Sequence, residues 1–195
     1  MKRKVFAFDF DGTLTSSDSL AGILRFHAGT WRFLSGLALI SPWIVLSMLG
    51  LYHNGRAKER LFSHFFRGLS LDAFNDLCRR YAAANRHILR PEGLKTLEQA
   101  QAEGHEVLVV TASIENWVQP FLPNVRIIGT QIEVKNGVLT GRFLTPNCHG
   151  VEKARRLLEV CPDRKDYHLT AYGDSSGDDV LLVFADEAHY KPFRS

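Results

Sequence analysis

Near the start of the chain, Val5-Phe6-Ala7-Phe8 runs into Asp9-Phe10-Asp11-Gly12-Thr13, two aspartates one residue apart at the end of an apolar run. Alternate side chains of a strand share a face, so Asp9 and Asp11 point to one side where the strand gives way to a loop. Two carboxylates aimed at one small volume resist joint ionisation. Chemistry relieves this with a hard cation between them, or with one carboxylate as ionised nucleophile and the other as protonated acid. A plain turn with a helix cap uses the same letters, so what lies downstream decides.

Three later strand ends carry groups suited to a phosphate. After Val107 to Val110 come Thr111-Ala112-Ser113, where backbone N–H groups opening a helix favour an anion and a hydroxyl adds a donor; a helix cap at Ser113 is the structural alternative. Lys153 falls in the first turn of a helix, where its charge opposes the dipole, so it serves an anion or is a solvated surface lysine. Gly173-Asp174-Ser175-Ser176-Gly177-Asp178 repeats the opening logic, and Asp174 and Asp178 can meet at a cation with the Asp9 pair, in an oxygen shell that suits Mg²⁺.

The elements that must position these groups alternate. A buried strand over residues 4 to 10 precedes a helical pattern that lasts to about residue 88. Arg90-Pro91-Glu92-Gly93 breaks it and opens a helix that ends near Gly104. Strands follow at 106 to 110 and 125 to 128. Residues 130 to 134 and 138 to 143 flank Lys135-Asn136-Gly137, a hairpin signal. Helix 150 to 160, strand 168 to 172 and a short helix near 178 to 184 complete the chain. This alternation predicts an α/β fold with a doubly wound, Rossmann-like, mostly parallel sheet and ligands beyond its carboxyl strand ends.

Taken together, Asp9-Phe10-Asp11-Gly12-Thr13, Thr111, Lys153 and Gly173-Asp174 to Asp178 resemble, in order, the four motifs of the haloacid dehalogenase superfamily of aspartate-nucleophile phosphatases. The resemblance implies that Asp9 attacks phosphorus, that Asp11 serves as acid and then base, and that Thr13 orients Asp11 and lies with Thr111, Ala112 and Lys153 around the phosphate. It further implies Mg²⁺ held by Asp9, the backbone carbonyl of Asp11 and Asp174, with Asp178 supporting the metal shell or the lysine. An acid two residues after the nucleophile is what a phosphatase needs and a dehalogenase does not. The implied organisation is a core of residues 1–15 and 89–195 and an all-helical cap of residues 16–88, as in the subgroup that includes phosphoserine phosphatase. Gly129-Thr130-Gln131-Ile132-Glu133 and Cys148-His149-Gly150-Val151-Glu152-Lys153 are similar to the bacterial group that includes phosphatidylglycerophosphatase C. Where phosphoserine phosphatases carry a glutamate for the substrate amine, this chain has Asp18, which favours a phospholipid or another small phosphomonoester over free phosphoserine. A phosphotransferase with an alcohol acceptor, or a non-catalytic phospholigand-binding relative, are the remaining alternatives.

Phe33 to Tyr52 is a 20-residue stretch without charge. Its length as a helix matches about 30 Å of hydrocarbon, and Pro42 at its middle predicts a kink or hairpin. The segment around it carries nine Lys/Arg against four Asp/Glu. A buried seam of the cap and a reader of anionic lipid headgroups both fit; Trp31 and Trp43 are expected to pack within the cap. The overall net charge of +3 comes without a basic and aromatic stripe, so no nucleic-acid partner is expected. Three cysteines without C-x-x-C spacing, and an apolar start interrupted by Asp9, predict neither disulfides nor an export signal. The expected location is the cytoplasm, with contact at the inner membrane surface if the cap reads lipid. The eight histidines show no zinc pairing and are expected mostly at the surface or in packing.

Overall fold

The computed structural model describes residues 2–194. Its centre is β1 (Arg3–Phe8), whose alternation sends Val5 and Ala7 to one face of a sheet and Phe6 and Phe8 to the other. Against it lie β2 (Glu106–Ile114) and β6 (Tyr167–Gly173), with β3 (Arg126–Thr130) and β7 (Glu187–Tyr190) at the edges. The order is β3-β2-β1-β6-β7, with every pairing parallel. β4 (Ile132–Lys135) and β5 (Val138–Phe143) form a separate antiparallel hairpin, turned by Asn136 and Gly137, both at positive φ. The α/β architecture expected from the alternation of elements is therefore present. β7 is an addition: it lies at the edge, mostly exposed, and carries no apolar alternation.

Between β1 and β2 run α1 (Ser19–Met48), α2 (Asn54–Phe66), α3 (Leu71–Ala84) and α4 (Pro91–Ala102). The short α5 (Glu115–Val118), then α6 (Val151–Val160) and α7 (Asp179–Phe184), follow β2, β5 and β6. One core, with Phe8, Val109 and Trp117 on the sheet side, continues into Phe62, Phe66 and Phe74 of the inserted helices; a second, with Val5, Leu108, Leu157 and Leu169, fills the other face. The insertion is also fastened by backbone. Gly68 and Leu71 donate to Leu139 and Gly137 at 3.0 and 2.8 Å, and Leu139 donates back to Leu69 at 2.9 Å.

Two features of α1 depart from expectation. The chain stays helical through Pro42; the break falls instead at Gly29 (φ 74°, ψ 166°). Proline leaves the carbonyl four residues back without its donor, and the Ser41 hydroxyl donates to that carbonyl, Ala38 O, at 2.8 Å. Nor is the uncharged stretch a buried seam. Of Phe33 to Tyr52 only Gly36 and Ile40 are buried, while Met48 is 82% and Leu51 74% exposed. Trp31, expected in the packing, is 84% exposed, and Trp43 lies half-buried under the Arg60 guanidinium. By length and composition α1 is the one helix among the described residues that could cross a membrane.

Candidate active site

The carboxyl ends of β1, β2 and β6 converge on one rim. Asp9 leaves β1 there, its N–H donating to Tyr172 O of β6 at 2.9 Å. The wide turn Phe10–Leu14 follows, closed by Thr15 N–H on Phe10 O at 3.0 Å. β2 runs on past the expected residue 110, but its register against β3 shifts between Val110 and Ile114. Thr111, Ala112 and Ser113 therefore lie in an irregular strand end and not beyond it. Thr111 Oγ1 accepts the Ser113 N–H at 3.1 Å, which leaves its own proton free for another acceptor.

Lys153 is not a surface lysine. It is 2% exposed, and its ammonium donates to Asp9 Oδ1 and to Asp178 Oδ1. Burial works against its charge, but the two carboxylates outweigh burial and hold it above the usual lysine range. Burial would likewise raise Asp178, yet Lys153 and the N–H groups of Asp174 and Ser175, at 3.1 and 3.0 Å on Oδ2, hold it below the carboxylate range. Asp9 has the lysine alone. Burial, with the charges of Asp178 and Asp11 added, pushes its pKa up to about 7 against the pull of Lys153.

That imbalance is what a metal ion would relieve. One carboxylate oxygen from each of Asp9, Asp174 and Asp178 lies within 4.8 Å of the others. Gly12, at φ 82°, keeps the approach clear, since a Cβ there would collide with the Asp174 carboxylate. Asp174 meanwhile accepts from Arg194. An all-oxygen, partly buried set with excess negative charge fits a hard divalent cation, so the residues present suit Mg²⁺.

Asp11 is held apart from this cluster. Ser19 N–H and Oγ donate to its carboxylate at 2.6 and 3.0 Å, and Ser113 Oγ at 2.5 Å. Burial, with Asp18 nearby, holds its pKa above the usual range while these donors oppose the rise. The orienting role expected of Thr13 is not seen: its buried Oγ1 has no hydrogen-bond partner, and Ser19 and Ser113 clamp Asp11 instead. Ser19 heads α1, so the inserted helices fix the acid. Ser113 is thus a ligand to Asp11 and not a helix cap.

A cavity of about 120 Å³ lies over Asp9, Asp11, Thr111, Ala112 and Lys153. Of three further walls, Lys58 and His149 were not legible as site residues, whereas Asp18 stands at the position the resemblance compares with the substrate-amine glutamate. Lys58 reaches in from α2 and donates to Ala112 O at 2.8 Å; burial draws its pKa down, against the charges of Asp11, Asp18 and Asp9. His149, grouped above with packing histidines, lines the cavity against Gly177. Asp18 lines it too, while its Oδ1 caps α1 through Ala21 N–H at 2.7 Å. A mid-helix lysine in a basic helix gives no sequence signal. Its place predicts that Lys58→Met lowers kcat/KM for a soluble phosphomonoester by about 10- to 100-fold, the worth of one charged hydrogen bond to an anion. Steady-state kinetics test this, and a KM rise with nearly constant kcat is the expected form.

A parallel sheet with an acidic, lysine-bearing rim at its carboxyl edge and a helical insertion after the first strand defines an α/β protein whose site is built for anion chemistry. The chain belongs to the haloacid dehalogenase-like hydrolase family, which residues 6–181 match. It is 34% identical to Protein CicA of Caulobacter vibrioides (strain NA1000 / CB15N), over 96% of this chain and 86% of that protein. In fold it is similar to a protein of unknown function from Bordetella pertussis Tohama I (TM-score 0.84, 19% identity, 96% and 89% covered). It is also similar to a phosphoserine phosphatase solved as a phospho-aspartyl intermediate analogue (TM-score 0.60, 19% identity, 96% and 86% covered).

Proposed function

We propose that the protein is a Mg²⁺-dependent phosphomonoester hydrolase that works through an aspartyl-phosphate on Asp9, with the inserted helices as its cap and a phospholipid phosphate as its substrate. The observation that carries the chemistry is the buried lysine shared between Asp9 and Asp178 beneath a small cavity edged by Thr111. Asp9 bonds to phosphorus as the bond to the leaving oxygen breaks, and Asp11 gives that oxygen its proton. Asp11, now a carboxylate, then takes a proton from the water that splits the aspartyl-phosphate. Lys153 and the Thr111 hydroxyl neutralise the phosphoryl oxygens. Mg²⁺, held by Asp9, Asp174 and the Asp11 carbonyl beside Asp178, would keep Asp9 ionised and offset charge on the phosphoryl group. The fold shared with a phosphatase captured as a phospho-aspartyl analogue supports this reading.

The lipid is favoured by a second cavity of about 430 Å³ that shares Asp18, Lys58, Ala112 and His149 with the first and continues between Leu20, Ile44, Met48, Ala57 and Leu61. A phosphate over Asp9 would thus leave an apolar-walled space for the rest of its molecule. Asp18, committed to capping α1, is a poor receiver for a free amino group. Phosphate release from phosphatidylglycerophosphate in micelles, phosphoserine and sugar phosphates, with Mg²⁺ or with chelator, tests the assignment. The expected result is chelator-sensitive release with at least about tenfold higher kcat/KM for the lipid. Preference for phosphoserine returns the small-metabolite reading, transfer to an added alcohol makes the enzyme a phosphotransferase, and no release leaves a phospholigand-binding relative.

A further inference from the structure

An amphipathic surface helix turns its polar face to water. The second part of α1, after the break at Gly29, does the reverse on its outer side. Gly36 and Ile40 bury one face, with Gly36 so close to α2 that a Cβ would meet His64 and Phe65. Opposite, Trp31, Leu34, Ala38, Pro42, Val45 and Leu49 recur every three or four residues, which is one helical face, and all six are exposed. That face is about 27 Å long and carries no charge.

Charge lies off this face instead. Arg25, Arg32, Arg56 and Arg60 are exposed and have no acidic partner among the described residues. Three of the four acids of the insertion are engaged elsewhere: Asp18 caps α1, Glu59 accepts the Phe143 N–H, and Asp76 pairs with Arg79 and Arg80. Arg60 lies over the Trp43 ring and donates to Tyr52 OH, tying a cation to the end of the apolar stretch.

We propose that this face of α1 is a membrane-docking surface that lies in the headgroup region of an anionic bilayer, its apolar stripe in the acyl boundary and Arg32 and Arg60 on lipid phosphates. A second copy of the chain is the weaker occupant, because a two-fold contact sets the patch against itself and brings unpaired arginines together. Spanning is disfavoured too: the chain enters α1 from the core at Ser19 and packs back on it through α2 and the hairpin, so both ends stay on one side. The docking does not depend on the substrate being a lipid.

The test is sedimentation of the full chain with vesicles of phosphatidylcholine alone or with phosphatidylglycerol, comparing the wild type with the Leu34→Glu, Val45→Glu double variant. Both positions are exposed and outside the cavities, so the fold and hydrolysis of soluble p-nitrophenyl phosphate are expected to be unchanged. The wild type should partition onto the anionic vesicles at least about tenfold more strongly than onto neutral ones, and the double variant should lose that advantage. Equal partitioning of wild type and variant, no binding by the wild type, or a dimer in gel filtration that the double substitution dissolves would overturn the proposal. Loss of p-nitrophenyl phosphate hydrolysis in both proteins would count against the hydrolase reading while leaving the partitioning result intact.

Discussion

Replacing Asp9 by Asn stops turnover, by at least about 10⁴-fold in kcat, and at the same time makes the metal-free protein more resistant to heat at pH 8. The first half follows from the proposed mechanism, in which an amide would neither attack phosphorus usefully nor form an aspartyl-phosphate. The second follows from the raised pKa of Asp9, about 7 against 3.8 when unperturbed, caused chiefly by burial. Between pH 4 and 7 the unfolded chain gives up a proton that the folded chain keeps. Stability from this group is therefore full below about pH 4 and is lost as pH rises through 7. Asparagine has the shape of the protonated acid and nothing to lose. About 3 pK units correspond to a few kcal/mol, or several degrees in melting temperature for a chain of this size. Calorimetry in chelator at pH 5 and pH 8 checks the sign: the variant should melt several degrees above wild type at pH 8, with the gap narrowing at pH 5. An asparagine variant that melts lower at pH 8 would mean that Lys153 alone suffices to keep Asp9 ionised.

The groups at the strand ends were legible because each sits where an apolar run stops, and strand termini in a parallel sheet share one rim. Thr111, Asp174 and Asp178 converge for that reason, and Lys153 joins them from the first turn of α6, as the order of motifs implies. What was not legible depends on packing between distant segments. Ser19 and Ser113 meet at Asp11 only because α1 sits on the end of β2, and Lys58 enters only because α2 is latched to the hairpin. Thr13, in the right motif, is buried with nothing to hold. α1 misled in two physical respects. Pro42 marks a break in most helices, but here the Ser41 hydroxyl supplies the missing donor while Gly29 takes the left-handed backbone. An apolar 20-residue run usually signals burial, and composition does not reveal that only one of its faces has a partner.

Lys153→Met should be the most damaging single change to stability near the site. Among the described residues the ammonium is the only cation within bonding reach of Asp9, and it is shared with Asp178 at less than a tenth exposure for all three side chains. Removing one partner from a buried ionic set costs about 3–5 kcal/mol, because the charges left behind have lost both water and counter-charge. The structure indicates which carboxylate yields. Asp178 keeps two N–H donors and the Ser175 hydroxyl on Oδ2, whereas Asp9 loses its one ammonium, so Asp9 takes the proton and its pKa climbs above 7. The nucleophile is then neutral at physiological pH and the phosphoryl group has no fixed cation, so kcat should fall by at least about 10³-fold. Urea unfolding at pH 8 without metal should show the loss in stability, and the loss should shrink toward pH 5, where Asp9 is protonated in both proteins. Added Mg²⁺ should stabilise the variant more than the wild type, since the ion then meets a cluster missing one positive charge. Equal Mg²⁺ stabilisation in the two proteins would mean that the lysine and the metal do not share the same carboxylates, and the division of labour around Asp9 would have to be redrawn.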